Sequence, residues 1–211
     1  MKLYSPMIDG DITPGTKGLL VHDTTVENYA FENLELDSAQ AARLEMIRVV
    51  LTKCSLFEAK LEKLGLQDVR MSDCELVAVD CSGGSWLRVE LVNCRMDGAD
   101  CCSSQLKDVT FQNCKLDLAN FRFSTMLRVR FVNCSLQETD FMGAEFDEVE
   151  FTNCTIDKTN FEKIKAKKVD LSGSQILSLQ GWPSLKGVAI DRLQLIESSE
   201  NIALALGLKI V

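Results

Sequence analysis

Nine cysteines, one histidine and 31 acidic side chains are the residues of this 211-residue chain that could do chemistry. A zinc site needs about four ligands that converge as a tetrahedron, and proton transfer near neutral pH most often needs histidine. His22, the single histidine, therefore excludes a multi-histidine metal site and most proton-shuttle chemistry. The cysteines are more informative, because six of them recur every 20 residues. These six are Cys54, Cys74, Cys94, Cys114, Cys134 and Cys154.

The 20-residue interval contains a shorter apolar period of five residues. Every fifth position from Val26 to Ile176 is apolar, and at 46% hydrophobic content a run of this length has a chance probability on the order of 10⁻¹⁰. Two residues before each position lies a mostly small residue, such as Ala119 or Cys134. Neither a helix nor a two-sided strand has this spacing. The pattern predicts a chain that turns a corner every five residues and closes a four-sided coil in 20.

Stacked coils also explain the outward residues. Arg48, Asp68 and Arg88 begin a column that alternates in charge, and neighbouring coils about 4.8 Å apart would pair these charges. The predicted rod has about 7.5 coils and a length of roughly 36 Å. The cysteines then form a core column whose parallel sulfurs suit neither a metal nor a disulfide. We therefore expect no metal, no cofactor and no enzyme activity.

Several segments match the loose motif A(D/N)LXX, and the chain resembles the pentapeptide-repeat proteins from about residue 21 to residue 180. The best matching segments are Ala99-Asp100-Cys101, Ala119-Asn120-Phe121, Thr139-Asp140-Phe141 and Thr159-Asn160-Phe161. The resemblance implies an all-β solenoid, a right-handed quadrilateral β-helix. Residues 1–20 are expected to form an N-terminal lead-in or cap, and residues 181–211 a C-terminal tail.

The tail is similar to the C-terminal helix and strand of the Qnr and MfpA subfamily. Ser198 is expected to cap a helix that begins afresh there, Gly207 to end it, and residues 208–211 to add a short strand. We predict that the tail is a twofold dimer interface; the other interpretation is that it folds only onto its own last coil. The predicted interface residues are Leu195, Ile196, Ile202, Leu204, Leu206, Leu208 and Ile210.

The same resemblance implies a function. Proteins of that subfamily are dimeric, rod-shaped mimics of duplex DNA that bind DNA gyrase and topoisomerase IV and lower sensitivity to fluoroquinolones. The alternative hypothesis is a rigid scaffold or interaction module with a different cytoplasmic partner. A net charge of −8 disfavours binding to nucleic acid and to anionic lipid.

Location and ligands follow from what the sequence lacks. It has no apolar run of the roughly 18 residues that cross a bilayer and no signal-peptide pattern, so we expect a cytoplasmic protein without membrane contact. A filled rod also implies no concave pocket, and hence no small-molecule substrate.

A run of acids without Lys or Arg is the candidate partner-binding site. This acidic belt comprises Glu138, Asp140, Glu145, Asp147, Glu148, Glu150 and Asp157, and the stacked pair Asp97 and Asp117 adds to it at a cost in stability. Either the belt imitates DNA phosphates or it is an ordinary solvated surface. A basic band from Lys158 to Lys168 follows it. The two bands are expected to meet opposite patches on a partner or to pair between subunits.

Overall fold

The structure is a computed structural model that describes residues 1–210. Within them the chain winds into a parallel all-β solenoid of about eight coils, and residues 20 positions apart stack on each other. Each coil has four sides of five residues, and we number the sides from one coil. Side 1 is residues 119–123, side 2 is 124–128, side 3 is 129–133 and side 4 is 134–138. Every other coil is divided in the same way.

A ten-stranded sheet follows the sequence order and wraps around sides 2 and 3. Its strands are β1 (Thr13–Pro14), β2 (Thr25–Glu27), β3 (Tyr29–Glu32), β4 (Glu45–Thr52), β5 (Gly65–Ser72), β6 (Ser85–Val92), β7 (Gln105–Gln112), β8 (Thr125–Val132), β9 (Glu145–Thr152) and β12 (Lys165–Asp170). Two small sheets pair β10 (Thr155–Ile156) with β13 (Gln175–Ile176), and β11 (Thr159–Asn160) with β14 (Leu179–Gln180). Single bridges, such as Glu75 with Arg95, join the other coils along sides 4 and 1.

Each side ends at a corner residue with a left-handed backbone. These corners recur every five residues from Asp23 to Gly173, and all but four of them carry a side chain. A left-handed residue with a Cβ costs roughly 1–2 kcal/mol, so packing and hydrogen bonding between coils must outweigh a repeated cost. None of the corner residues is β-branched, in keeping with the special strain of such residues at positive φ.

The interior is filled by stacked columns of identical or similar side chains. The rings of Phe111, Phe131 and Phe151 lie parallel, with centroids 4.9 and 4.8 Å apart. The six regularly spaced cysteines are buried, and their thiols donate to backbone carbonyls of the same coil and the coil before; Cys94 Sγ, for example, lies 3.6 Å from the carbonyl oxygen of Met71. The prediction that the cysteine column belongs to the core is therefore confirmed.

The Asp or Asn of the repeat motif has a structural role on side 1. Its side-chain oxygen accepts a hydrogen bond from the backbone N–H two residues later. Asp100 accepts from Cys102 at 2.9 Å and Asp140 from Met142 at 2.8 Å. The motif thus fixes the turn that leads into each corner.

The last coil is closed by helix α1, Arg192–Ala205, which begins at Asp191 and not at Ser198 as the sequence suggested. Asp191 and Gln194 form a reciprocal capping box. The Gln194 side chain also donates to the carbonyl oxygens of Leu171 and Ser174, both at 2.6 Å, and so satisfies the open edge of the coil. Ser198 is buried against the array and lies within the helix.

The end of α1 agrees with the sequence, but the segment after it does not. Gly207 is left-handed, and the N–H of Leu208 bonds to the carbonyl oxygen of Ala203, as in a Schellman motif. The predicted strand is absent from residues 208–210, where no neighbouring strand offers hydrogen bonds. Val211 lies outside the described residues.

At the other end, only part of the lead-in covers the first coil. β1 pairs with β3, and a 3₁₀ helix at Lys17–Leu19 follows it. Residues 1–8 instead run along the outside of the rod, where Met7 reaches Asp68 in the third coil.

Candidate protein-binding surface

Negative charge is concentrated on side 4, which we call the acidic side. It comprises residues 34–38 and their equivalents every 20 residues up to 174–178. The acidic side carries eight acidic and three basic residues, whereas side 2 carries seven of each. It therefore holds five of the eight net negative charges of the chain. The acids are Glu35, Asp37, Glu58, Glu75, Asp97, Asp117, Glu138 and Asp157, and the bases are Arg95, Lys115 and Lys158.

The predicted partner-binding residues are distributed over all four sides, because a run of 20 residues passes once around the rod. Asp97, Asp117, Glu138 and Asp157 lie on the acidic side. Asp140 is on side 1, Glu150 on side 3, and Glu145, Asp147 and Glu148 are on side 2. The sequence interpretation missed Glu35, Asp37, Glu58 and Glu75. Sorting the charges by their position in the 20-residue period would have found them.

The acidic belt on side 2 is neutralised by the basic band of the next coil. Lys165 Nζ lies 2.5 Å from Glu145, and Lys167 Nζ lies 2.7 Å from Asp147. Lys168 pairs with Glu148 and lowers the pKa of that carboxyl by a direct hydrogen bond. The expectation that the two bands face a partner or another subunit is thus wrong for side 2. Residues 20 positions apart are stacked neighbours, so the bands pair within the chain.

The stacked acids of the acidic side are likewise held by a cation. Lys115 Nζ lies 2.8 Å from Asp97 and 3.4 Å from Asp117. The hydrogen bond to Asp97 raises the pKa of Lys115. The like-charge cost predicted for this pair is therefore offset by the lysine between them.

Several carboxylates of the acidic side are oriented by the neighbouring coil. Asp37 accepts from the N–H of Phe57, and Asp117 accepts from the N–H of Gln137, each at 3.0 Å. Asp157 accepts from Ser178 Oγ at 2.7 Å. These bonds fix the carboxylates in a column parallel to the rod axis.

Exposed apolar side chains lie among these charges. They are Phe57, Leu118 and Leu177, and Leu118 is 62% exposed at a left-handed corner. A polar surface around a few exposed large apolar groups is typical of protein interfaces. The acidic side therefore has the composition of a surface that binds another protein.

A second apolar surface lies on the tail. Of the seven residues predicted for the dimer interface, Ile202 is half-buried and the other six are exposed. The opposite face of α1 buries Gln194 and Ser198 against the last coil. We call the exposed residues the tail patch: Leu195, Ile196, Leu204, Leu206, Leu208 and Ile210.

The four-sided coils, left-handed corners and axial columns define a rod-shaped parallel β-solenoid built from five-residue units. Residues 84–161 match the protein-family model described as a pentapeptide repeat region. The chain is a pentapeptide-repeat protein.

Solved structures of low sequence identity share this repeat. A trypsin-treated form of QnrB1, a plasmid-mediated fluoroquinolone resistance protein, is 18% identical, with 90% of this chain and 99% of that chain covered and a TM-score of 0.44. HetL, a pentapeptide repeat protein involved in heterocyst differentiation regulation from the cyanobacterium Nostoc sp. strain PCC 7120, is 14% identical, with 80% and 90% covered and a TM-score of 0.26. These likenesses carry no argument about function. A search of curated proteins found no match.

Two searches of residues 1–210 bear on other kinds of site. No helix there is long and apolar enough to span a membrane. No group of three or more His, Cys, Asp or Glu side chains there is arranged to hold a metal ion.

Proposed function

We propose that the protein is a non-enzymatic DNA mimic whose acidic side occupies the DNA-binding surface of a type II topoisomerase, DNA gyrase or topoisomerase IV, and so modulates fluoroquinolone sensitivity. The observation that supports this proposal is the concentration of net negative charge on one side of a straight rod. The resemblance of the tail to the Qnr and MfpA subfamily directs the proposal to these enzymes.

The number and spacing of the carboxylates suit imitation of a DNA strand. The coils of Glu35 and Asp157 are six steps apart, which corresponds to about 29 Å. One strand of duplex DNA presents roughly eight or nine phosphates over that length. The acidic side presents eight carboxylates. Arginines and lysines that bind phosphates would meet a similar number of anions along one line.

The tail patch supports the dimeric form of the proposal. Six exposed apolar side chains at one end of the rod would be covered if two copies met tail to tail. Such a dimer would double the length of acidic surface presented to one enzyme.

The proposal is tested by measuring gyrase supercoiling and binding with two matched triple variants. One variant neutralises the acidic side (Glu35→Gln, Glu58→Gln, Glu138→Gln), and the other neutralises the belt on sides 2 and 3 (Glu145→Gln, Asp147→Asn, Glu150→Gln). We expect the first to weaken inhibition of supercoiling by at least about tenfold and the second by less than about threefold. Both effects should be read with and without ciprofloxacin.

Salt provides an independent readout, because interactions between opposite charges weaken as salt screens them. Affinity of the wild-type protein for gyrase should fall steeply between 50 and 200 mM salt, by about tenfold or more. Absence of binding at low salt, or equal losses in the two variants, would contradict the proposal.

The alternative function is a rigid interaction module with another partner. The exposed Phe57, Leu118 and Leu177 favour it, because apolar contacts are not needed to imitate phosphates. Affinity capture from a bacterial lysate distinguishes the two functions. A stoichiometric partner other than a topoisomerase subunit, lost in a Leu118→Ser variant, would support the alternative.

A further inference from the structure

Residues 1–8, the N-terminal strap, lie lengthwise on the corner between sides 2 and 3. The N–H of Met7 donates to Asp68 Oδ1 at 2.9 Å, and Arg130 Nη2 donates to the carbonyl oxygen of Met1 at 3.2 Å. Asp68 and Arg130 are three coils apart, about 14 Å along the rod. The strap therefore crosses several coils in the direction opposite to their winding.

The corner under the strap offers groups that complement an extended peptide. Asp68 and Asp108 alternate with Arg88 and Arg128 in one column, and each Asp pairs with the Arg of the next coil at 2.6 Å. A carboxylate oxygen remains available to a peptide N–H, as Met7 shows. The Arg128 guanidinium lies 5.8 Å from the centroid of the Tyr4 ring, a cation–π distance.

The strap is held at its ends and loosely in between. A hollow of about 350 Å³ separates it from the rod, lined by Tyr4, Ser5 and Met7 on one side and by the corner residues on the other. The side chains of Tyr4 and Met7 are exposed. Residues 1–12 belong to no strand or helix. Such a segment opens at a small fraction of the free energy that unfolds the array.

We propose that this corner is a docking groove for an extended polypeptide, and that the strap is its resident occupant. A partner would enter as an extended segment with an aromatic side chain for Arg128 and, three residues later, a backbone N–H for Asp68. It would displace the strap from the rod. The groove is on the corner that does not border the acidic side, so both surfaces are available at once.

The test uses a fluorescently labelled peptide with the sequence of residues 1–8 and fluorescence anisotropy with the full chain. A strap variant, Tyr4→Ala with Met7→Pro, removes the ring and the N–H that occupy the groove. A tethered segment acts at an effective concentration of about 1 mM, so the wild-type strap competes with added peptide. We expect the peptide to bind the strap variant at least about tenfold more tightly than the wild type.

A matched pair of arginines locates the binding site. Arg130 and Arg70 occupy equivalent positions in different coils, and each pairs with the glutamate of the next coil, at 2.9 and 3.0 Å. Only Arg130 also contacts the strap. Added to the strap variant, Arg130→Ala should weaken peptide binding by at least about fivefold and Arg70→Ala by less than twofold. Equal effects of the two substitutions would overturn the proposal.

A second measurement on the wild-type protein avoids any dependence on variants. Excess peptide should speed hydrogen exchange at the Met7 amide, because that N–H loses its bond to Asp68 when the strap is displaced. The Val69 amide, in the core of β5, serves as the control and should not change. An unchanged Met7 exchange rate at millimolar peptide, or equal peptide affinity in wild type and strap variant, refutes the proposal.

Discussion

Asp68 and Arg88, one coil apart at the same corner, form a two-pronged ion pair in which both N–O distances are 2.6 Å. Asp68 is only 2% exposed. Its carboxylate also accepts the Met7 N–H, so one buried acid links two coils and the strap. A buried carboxylate that loses its cation is left with an uncompensated desolvation cost.

Replacing Asp68 by Asn should lower the free energy of unfolding by about 2 kcal/mol at pH 7, because hydrogen bonds to a charged group are lost. Desolvation opposes ionisation of Asp68, but Arg88 and the Met7 N–H outweigh it and lower the pKa. An acid with a lowered folded pKa stabilises the fold above its unfolded pKa of about 3.9, and this contribution is lost as pH falls through the folded pKa. Urea unfolding from pH 6 to pH 2 should therefore show a weaker pH dependence in the variant.

Glu32 provides the control for this prediction. It is exposed and belongs to none of the ion pairs among residues 1–210. Glu32→Gln should change stability by less than about 0.5 kcal/mol at pH 7. The account of Asp68 is wrong if the two substitutions have the same effect.

Phe131→Ala should destabilise the array by about 3–5 kcal/mol, because it removes a fully buried ring stacked between two others. Guanidinium unfolding followed by circular dichroism measures the change. Phe123→Ala, which removes an exposed ring at a corner, is the matched control and should cost less than about 1 kcal/mol. A small effect at Phe131 would mean that the core repacks freely.

Gly98→Val should cost about 1–2 kcal/mol through backbone strain alone. Gly98 is a corner with φ of 66°, and a Cβ built there meets no atom within 4 Å. Gly98→Asn should cost distinctly less, since Asn occupies four of the corners directly. Thermal unfolding of both variants checks the difference. Equal losses would show that crowding, and not conformation, excludes β-branched residues from the corners.

Leu204→Asp should convert a tail-mediated dimer into a monomer, because it places a charge in the tail patch. Leu204 is 55% exposed in the single chain, so the helix itself should persist. Light scattering gives the mass, and Glu200→Ala on the exposed part of the same helix is the control. An unchanged mass for Leu204→Asp would argue that the tail only closes the last coil.

The array could be predicted from sequence because its physics is periodic. Each inward residue, such as Phe131, meets the residue 20 positions away, so one rule fixes every column. The ends follow no such rule. Ser198 looked like a helix cap, but Gln194 can satisfy two open carbonyls of the last coil only if the helix starts at Asp191.

The surface was harder to predict than the core, because charges that are close in sequence are separated in space. Glu145 and Glu150 lie on different sides of the rod, whereas Glu145 and Lys165 are in contact. The position of the strap had no signal in the sequence, since its contacts with Asp68 and Arg130 depend on a surface that exists only after the coils have stacked.

The five-residue side has a consequence for how such a rod can change in length. Duplication of one five-residue unit would preserve every inward position, and hence the fold, but would rotate all later residues by a quarter-turn. The carboxylates beyond the duplication would leave their line, and ion pairs across it would exchange partners. Only the gain or loss of a whole coil keeps the two halves of the molecule in phase.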